Sequence, residues 1–142
     1  MNTNTHLYWK PEYNIGINVV DEQHQEIVEV LNRLYAAIEG SERPKGFLKT
    51  LIYDLNKYVV KHFAAEEKLM IESDYPDYKI HSQQHRLFSD AVKKFQQHYE
   101  TEIIKTEVLA NFVKGWFMEH TQYTDRHFAK HYIQHQKSIN SK

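Results

Sequence analysis

Four stretches of the chain repeat apolar side chains at steps of three and four, the spacing that lines one face of an α-helix. The first stripe reads Val20, His24, Ile27, Leu31, Leu34 and Ile38, with Asp21 as the expected N-cap and Gly40 and Ser41 as the stop. The second follows Pro44 and Gly46 and reads Leu48, Leu51, Leu55, Tyr58, His62, Glu66 and Leu69. Pro76 suits a first helical turn and is expected to open the third stripe: Tyr78, His81, His85, Phe88, Val92, Phe95 and Tyr99. The fourth starts near Thr106 and runs through Leu109, Phe112, Trp116 and His120. No stretch alternates convincingly with period two, and the intervening loops are short, so consecutive helices should be antiparallel neighbours. The expected fold is all-α: an antiparallel up-down-up-down four-helix bundle over residues 21–135, within one domain spanning 1–142. Residues 1–20 differ. Leu7, Tyr8, Trp9, Pro11, Tyr13, Ile15 and Ile17 are too aromatic for a disordered tail and lack a helical period, so an ordered arm along the bundle is expected. Residues 136–142 are polar and expected to fray.

The stripes are not purely apolar, and that changes the picture. Each helix carries a histidine on its inward face, and two carry a second ligand-type residue four positions on: His62 with Glu66 in HFAAEE, and His81 with His85 in HSQQH. Singly, each has an ordinary explanation, a hydrogen-bonded core histidine or a helix-stabilising pair. Together they would place several ionisable groups in one core, which is costly unless one shared polar centre satisfies them all. Composition narrows that centre. The 142 residues include ten histidines and no cysteine, which removes disulfides, thiolate metal sites, iron–sulfur clusters and cysteine nucleophiles. Imidazole with carboxylate oxygen suits iron, manganese, zinc, copper or nickel better than calcium or magnesium. Charge nearly cancels, with 18 basic and 19 acidic residues and no charged block, so neither nucleic acid nor a membrane surface is the expected partner. No apolar run is long enough for a signal peptide or a bilayer span, and a soluble cytoplasmic protein is expected. Glu67, Lys68 and Glu72 read as a solvated face.

Helix four is less regular. His120 is in phase, but the next carboxylate, Asp125, is five residues on, roughly 140° around an ideal helix. After His120 the apolar phase advances by one residue, through Asp125, Phe128 and Tyr132, as a π-bulge would make it do. The rival is His127 with His131, which keep the original phase. Spacing favours Asp125 and leaves the rival open.

The stretches YWKPEYNIGINVVDEQH (8–24), HFAAEEKLM (62–70), YPDYKIHSQQHRLF (75–88) and WFMEHTQYTD (116–125) resemble the bacterial hemerythrins, non-haem di-iron oxygen-binding bundles. The resemblance covers nearly the whole chain. It implies two iron ions with a bridging oxo or hydroxo group. His24 and His62 would bind one iron, His81, His85 and His120 the other, and Glu66 and Asp125 would bridge them. It also resolves the choice in favour of Asp125. Counting these donors against two six-coordinate irons leaves one position open, on the iron with two histidines, where dioxygen would bind.

Ile27, Phe63, Trp116 and Phe117 are the expected apolar wall of the oxygen pocket, although plain core packing explains each equally well. Two positions depart from the family pattern: Phe117 stands where a leucine is usual, and Thr121 where an apolar residue is usual. Both bear on oxygen affinity, not on metal binding. The resemblance implies reversible oxygen binding, as a carrier, store or delivery protein, with an oxygen-consuming recipient protein as a further partner. The alternatives are a di-iron oxidase, peroxidase or nitric oxide reductase, or an oxygen- or iron-sensing module. No glutamate is followed three residues later by a histidine, which argues against ferritin-like di-iron oxidases. His6 and His98 take no role, and His127, His131 and His135 read as a solvated face.

Overall fold

The computed structural model describes residues 6–39, 47–101 and 106–140, with side chains at all of these except 48, 98–101 and 106. The helices are α1 (Asn18–Glu39), α2 (Phe47–Glu72), α3 (Tyr78–Thr101), α4 (Thr106–Glu119) and α5 (Arg126–Asn140). A π-helical turn, His120–Asp125, joins α4 to α5, so the two form one long fourth helix. This is the advance in phase that the spacing after His120 predicts. The expected stops at Gly40 and Ser41, the breakers Pro44 and Gly46, and the side chains of Leu48 and Tyr99 lie outside the described residues.

Two apolar clusters fix how the helices run. One gathers Leu34 and Tyr35 late in α1, Leu51 and Ile52 early in α2, Val92 in α3 and Leu109 early in α4. The other gathers Val20 at the start of α1, Met70 at the end of α2, Tyr75 and Tyr78 where α3 begins, and Phe128 in α5. Start meets end in each case, which is the up-down-up-down bundle. Burying each such large apolar side chain contributes about 1.5–3 kcal/mol. Most ionisable residues of the inward stripes fall between the two clusters, and His62 sits at the edge of the first, between Val59 and Phe63. His24 lies between Val20 and Ile27, Glu66 between Phe63 and Met70, and His120 with Asp125 between Phe117 and Phe128.

Several expectations need correction. Asp21 is not an N-cap: α1 starts at Asn18, and Asp21 already sits in the first turn, its N–H bonded to the Ile17 carbonyl at 2.9 Å. Its carboxylate instead receives the N–H groups of Ile15 (2.7 Å) and Gly16 (3.1 Å), folding the arm onto the helix start. Pro76 lies in the turn before α3, which begins at Tyr78. Tyr58 faces solvent, and Val59 and Phe63 take the core positions of α2, because the buried face there is wider than a single stripe. Leu69 is half-buried while Met70 is fully enclosed. The last helix continues to Asn140, beyond residue 135 where fraying was expected.

The described part of the arm, from residue 6 onward, is held against the bundle. Leu7 exchanges two 2.8 Å hydrogen bonds with the side chain of Asn32, and Leu7, Ile15 and Ile17 are buried. A 3-10 turn at Pro11–Tyr13 presents carbonyls that Gln122 of the π-helical turn (to Tyr13, 3.2 Å) and Arg126 at the start of α5 (to Glu12) capture. Gly16 takes φ +95°, and a Cβ there would meet Ile133 Cδ1 at 3.1 Å. At the end of α2, Asp74 adopts φ 53°, with Tyr75 N–H on the Met70 carbonyl and Asp74 N–H on that of Ile71, a Schellman cap built without glycine. His131 donates to the Ser73 carbonyl at 2.6 Å and so ties α5 to this cap.

These two left-handed positions predict opposite responses. Asp74→Gly should raise stability by up to about 1 kcal/mol, because the left-handed strain of a Cβ is removed. Gly16→Ala should lower it by at least about 1 kcal/mol through both φ and the Ile133 contact. Thermal unfolding of the two variants checks this, and a fall for Asp74→Gly contradicts it.

Candidate metal centre

All seven of the singled-out ionisable residues come together. His24, from α1, and His62 and Glu66, from α2, meet Asp125 in one buried group; Glu66 and Asp125 also join His81, His85 and His120 in a second. Each of the seven is at most 5 % exposed. The π-helical turn explains Asp125. Its wider turn brings residues five apart back towards one face, so Asp125 points inward beside His120, with Oδ1 3.1 Å from His120 Nε2. The rivals stay outside: His127 is exposed and pairs with Asp77 at 3.4 Å, and His131 serves the α2 cap.

The two carboxylates are divided between the groups. Asp125 Oδ2 lies 3.1 Å from His24 Nε2, while its Oδ1 lies 3.0 Å from His81 and 3.1 Å from His120. Glu66 Oε1 lies 2.7 Å from His81 and 3.1 Å from His85, while Oε2 faces His62 at 3.8 Å. Imidazole nitrogens approach equally closely: His24–His62 3.0 Å, His81–His120 3.1 Å and His85–His120 3.0 Å between Nε2 atoms. Despite these short contacts, neither Glu66 oxygen nor Asp125 Oδ1 is aligned to receive a hydrogen bond.

Such crowding of lone pairs is unfavourable by itself, and a cation among them relieves it. Around a six-coordinate ion with bonds of roughly 2.1 Å, neighbouring donors lie roughly 3 Å apart. The observed donor spacing matches that, and the orphaned carboxylate oxygens are what metal coordination would satisfy. The residues fit a pair of adjacent ions that share Glu66 and Asp125.

Electrostatics carries the same signature. Burial, reinforced by the neighbouring His24, depresses His62 to about 3, and burial with His120 beside it depresses His85. Burial also acts against the charged form of His81, but the carboxylates of Asp125 and Glu66 outweigh it and hold its pKa up at about 9. Burial and the charge of Asp125 push Glu66 well above the usual carboxylate range. Asp125 goes the other way, because His120, His24 and His81 overcome its burial.

The four expected wall residues, Ile27, Phe63, Trp116 and Phe117, line one cavity of about 10 Å³ beside His62, with Val59 and Val113 completing its apolar sides. Phe117 meets His24 edge-on at 5.4 Å. Two aromatic plates lie flat on imidazoles: Phe63 on His85 at 3.8 Å and Trp116 on His120 at 4.3 Å. Thr121 lines the cavity, but its hydroxyl donates to the Met118 carbonyl at 3.4 Å. Trp116 and His120 also line an open surface groove with Leu87 and Glu119.

Sequence reading missed two residues that touch the centre from outside. Gln23 Oε1 accepts from His62 Nδ1 at 2.9 Å, and Glu67 Oε2 from His85 Nδ1 at 2.9 Å. Glu67 is therefore not part of a solvated face, although Lys68 and Glu72 are, in an exposed pair at 3.9 Å. Both partners act across helices, and no spacing within one helix signals such a contact. His131 and His135 are half-buried, which also departs from the solvated face expected of them.

A family model, the hemerythrin HHE cation binding domain, matches residues 15–132. The chain is 31% identical to a bacteriohemerythrin of Stenotrophomonas maltophilia over 123 residues, covering 87% of this chain and 79% of that one. It is 32% identical to a bacteriohemerythrin of Pseudomonas aeruginosa over 120 residues (84% and 77% covered), and 27% identical to one of Clostridium acetobutylicum (84% and 96% covered). A crystal structure of wild-type hemerythrin superposes with a TM-score of 0.79 at 21% identity, over 87% of this chain and 95% of that one, which shows the shared bundle fold. Among the described residues no helix is long and apolar enough to cross a membrane.

His81→Ala should lose bound metal, while His131→Ala, outside both groups, should retain it and lose only stability; metal analysis after gel filtration separates the two. In metal-free protein, the depressed His62 and His85 bind protons in the unfolded chain before they do so in the folded one. Glu66, held above the usual carboxylate range, works against this above about 4.5 because it is already protonated in the folded protein. It offsets only one of the two imidazoles, so stability should still fall as pH drops from about 6.5 towards about 3. Unfolding midpoints that stay flat across that window would contradict the burial of neutral imidazoles.

Proposed function

The chain belongs to the hemerythrin family, and on that premise we propose that it binds dioxygen reversibly at a centre of two iron ions, as an oxygen carrier, store or delivery protein. One observation carries the reading: Glu66 and Asp125 each divide their two oxygens between a two-histidine group and a three-histidine group. His24 and His62 would hold one ion and His81, His85 and His120 the other, with both carboxylates bridging. When bound as ferrous ions, the pair supplies the two electrons that dioxygen binding draws on.

The unequal histidine count leaves the two-histidine position with one donor fewer, and the apolar cavity reaches His62 of that group as well as Asp125 and His120. Its roughly 10 Å³ holds about one water-sized molecule, which suits a diatomic gas better than a larger oxidisable substrate. That supports a binding protein over an oxidase. Ile27, Phe63, Trp116 and Phe117 keep water from this side of the centre, which protects a reversible ligand from hydrolytic and proton-driven loss. Phe117 fills volume that the family's usual leucine would leave open. Because the Thr121 hydroxyl is turned to its own helix backbone, it adds little polarity to the wall.

Ferrous protein should take up one dioxygen per two irons and release it intact under vacuum, followed by oxygen electrode and by absorption before and after. Continuous oxygen consumption with a reductant and a specific substrate, in place of saturation, contradicts the reading.

A further inference from the structure

The outer nitrogens of the clustered imidazoles are not treated alike. His62 Nδ1 and His85 Nδ1 each meet an oxygen that can only accept, on Gln23 and Glu67, both at 2.9 Å. These contacts place the ring proton on Nδ1 and leave the Nε2 lone pair facing the centre. The corresponding Nδ1 atoms of His24 and His81 are buried with no partner among the described residues. The two outer acceptors also differ in charge: a neutral amide behind the two-histidine group, a carboxylate behind the three-histidine group. Glu67 is about a quarter exposed; burial raises its carboxyl above the ordinary range, with the cationic Arg86 pulling the other way, and His85 is clamped from its face by Phe63 at 3.8 Å.

We propose that Glu67 and Gln23 are positioning residues that fix the tautomer and orientation of His85 and His62, and that their difference in charge makes the three-histidine ion the more readily oxidised of the two. A carboxylate behind a ligating imidazole raises the basicity of the opposite nitrogen, whereas an amide orients the ring with little added charge. Greater basicity stabilises the higher metal charge. The polarity follows from chain placement alone, since Glu67 is the neighbour of the bridging Glu66 while Gln23 precedes His24 and reaches across to α2. The redox half of this inference rests on the di-iron reading, and the positioning half does not.

The test uses full-length Glu67→Ala, Glu67→Gln and Gln23→Glu. Cobalt(II) titration followed by its visible spectrum reads positioning without iron. Glu67→Ala should bind cobalt about 10–100-fold more weakly, while Glu67→Gln, which keeps an acceptor, should stay within a few-fold of the parent. In iron-loaded protein, the midpoint potential should move up in Glu67→Gln and down in Gln23→Glu. A purely structural role would change the thermal stability of the metal-free protein and leave these opposed shifts absent. Parent-like cobalt affinity in Glu67→Ala overturns the positioning role, and potentials that fail to move in opposite directions overturn the charge asymmetry. A parent protein that binds cobalt but takes up no iron would instead refute the di-iron reading, leaving the cobalt series to decide on Glu67.

Discussion

Seven ionisable side chains packed into the middle of an apolar bundle are the constraint on which everything else in this protein depends. Transferring such groups from water without partners costs several kcal/mol each. Hydrogen bonding within the cluster does not satisfy them, because both oxygens of Glu66 and one of Asp125 have no aligned donor. A pair of cations would resolve the conflict for every member at once, and binding energy of that kind would also be folding energy. The apolar clusters above and below then have a second role besides stability: they hold the donors at one level of the bundle and keep the polar layer from spreading.

How the chain reaches that arrangement is a matter of phase. Helices α1, α2 and α3 deliver their ligands with regular spacing, His62 to Glu66 and His81 to His85 each being one turn apart. The fourth helix must supply a nitrogen and an oxygen to two different neighbours, and His120 to Asp125 is a five-residue step. The π-helical turn accommodates it, and its Gln122, with Arg126 just beyond it, also anchors the 3-10 turn of the arm. A local irregularity in the backbone thus serves the centre and the arm together, in keeping with the frequency of π-bulges at functional sites.

Much of this was legible from one chain because period is a strong signal. The four stripes, the polar residues within them and the slip after His120 are all properties of spacing, and spacing survives folding. What spacing does not carry was misread. Asp21 looks like a cap in the linear order, but only the folded arm shows that its carboxylate serves Ile15 and Gly16 behind it. A single stripe is too narrow for α2, since it turns exposed Tyr58 inward and leaves out buried Val59. Glu67 and Gln23 were invisible as partners because each contacts an imidazole from another helix. The residue nearest a ligand in sequence is not the one that supports it in space.

If one chain holds two metal ions side by side, joined by Glu66 and Asp125, anomalous scattering at the iron edge from crystals of the iron-loaded protein will show two adjacent peaks at the middle of the bundle. One should contact His24 and His62, the other His81, His85 and His120, with both carboxylates touching both. A single peak, or iron found instead at His127, His131 and His135 of α5, would refute the shared centre.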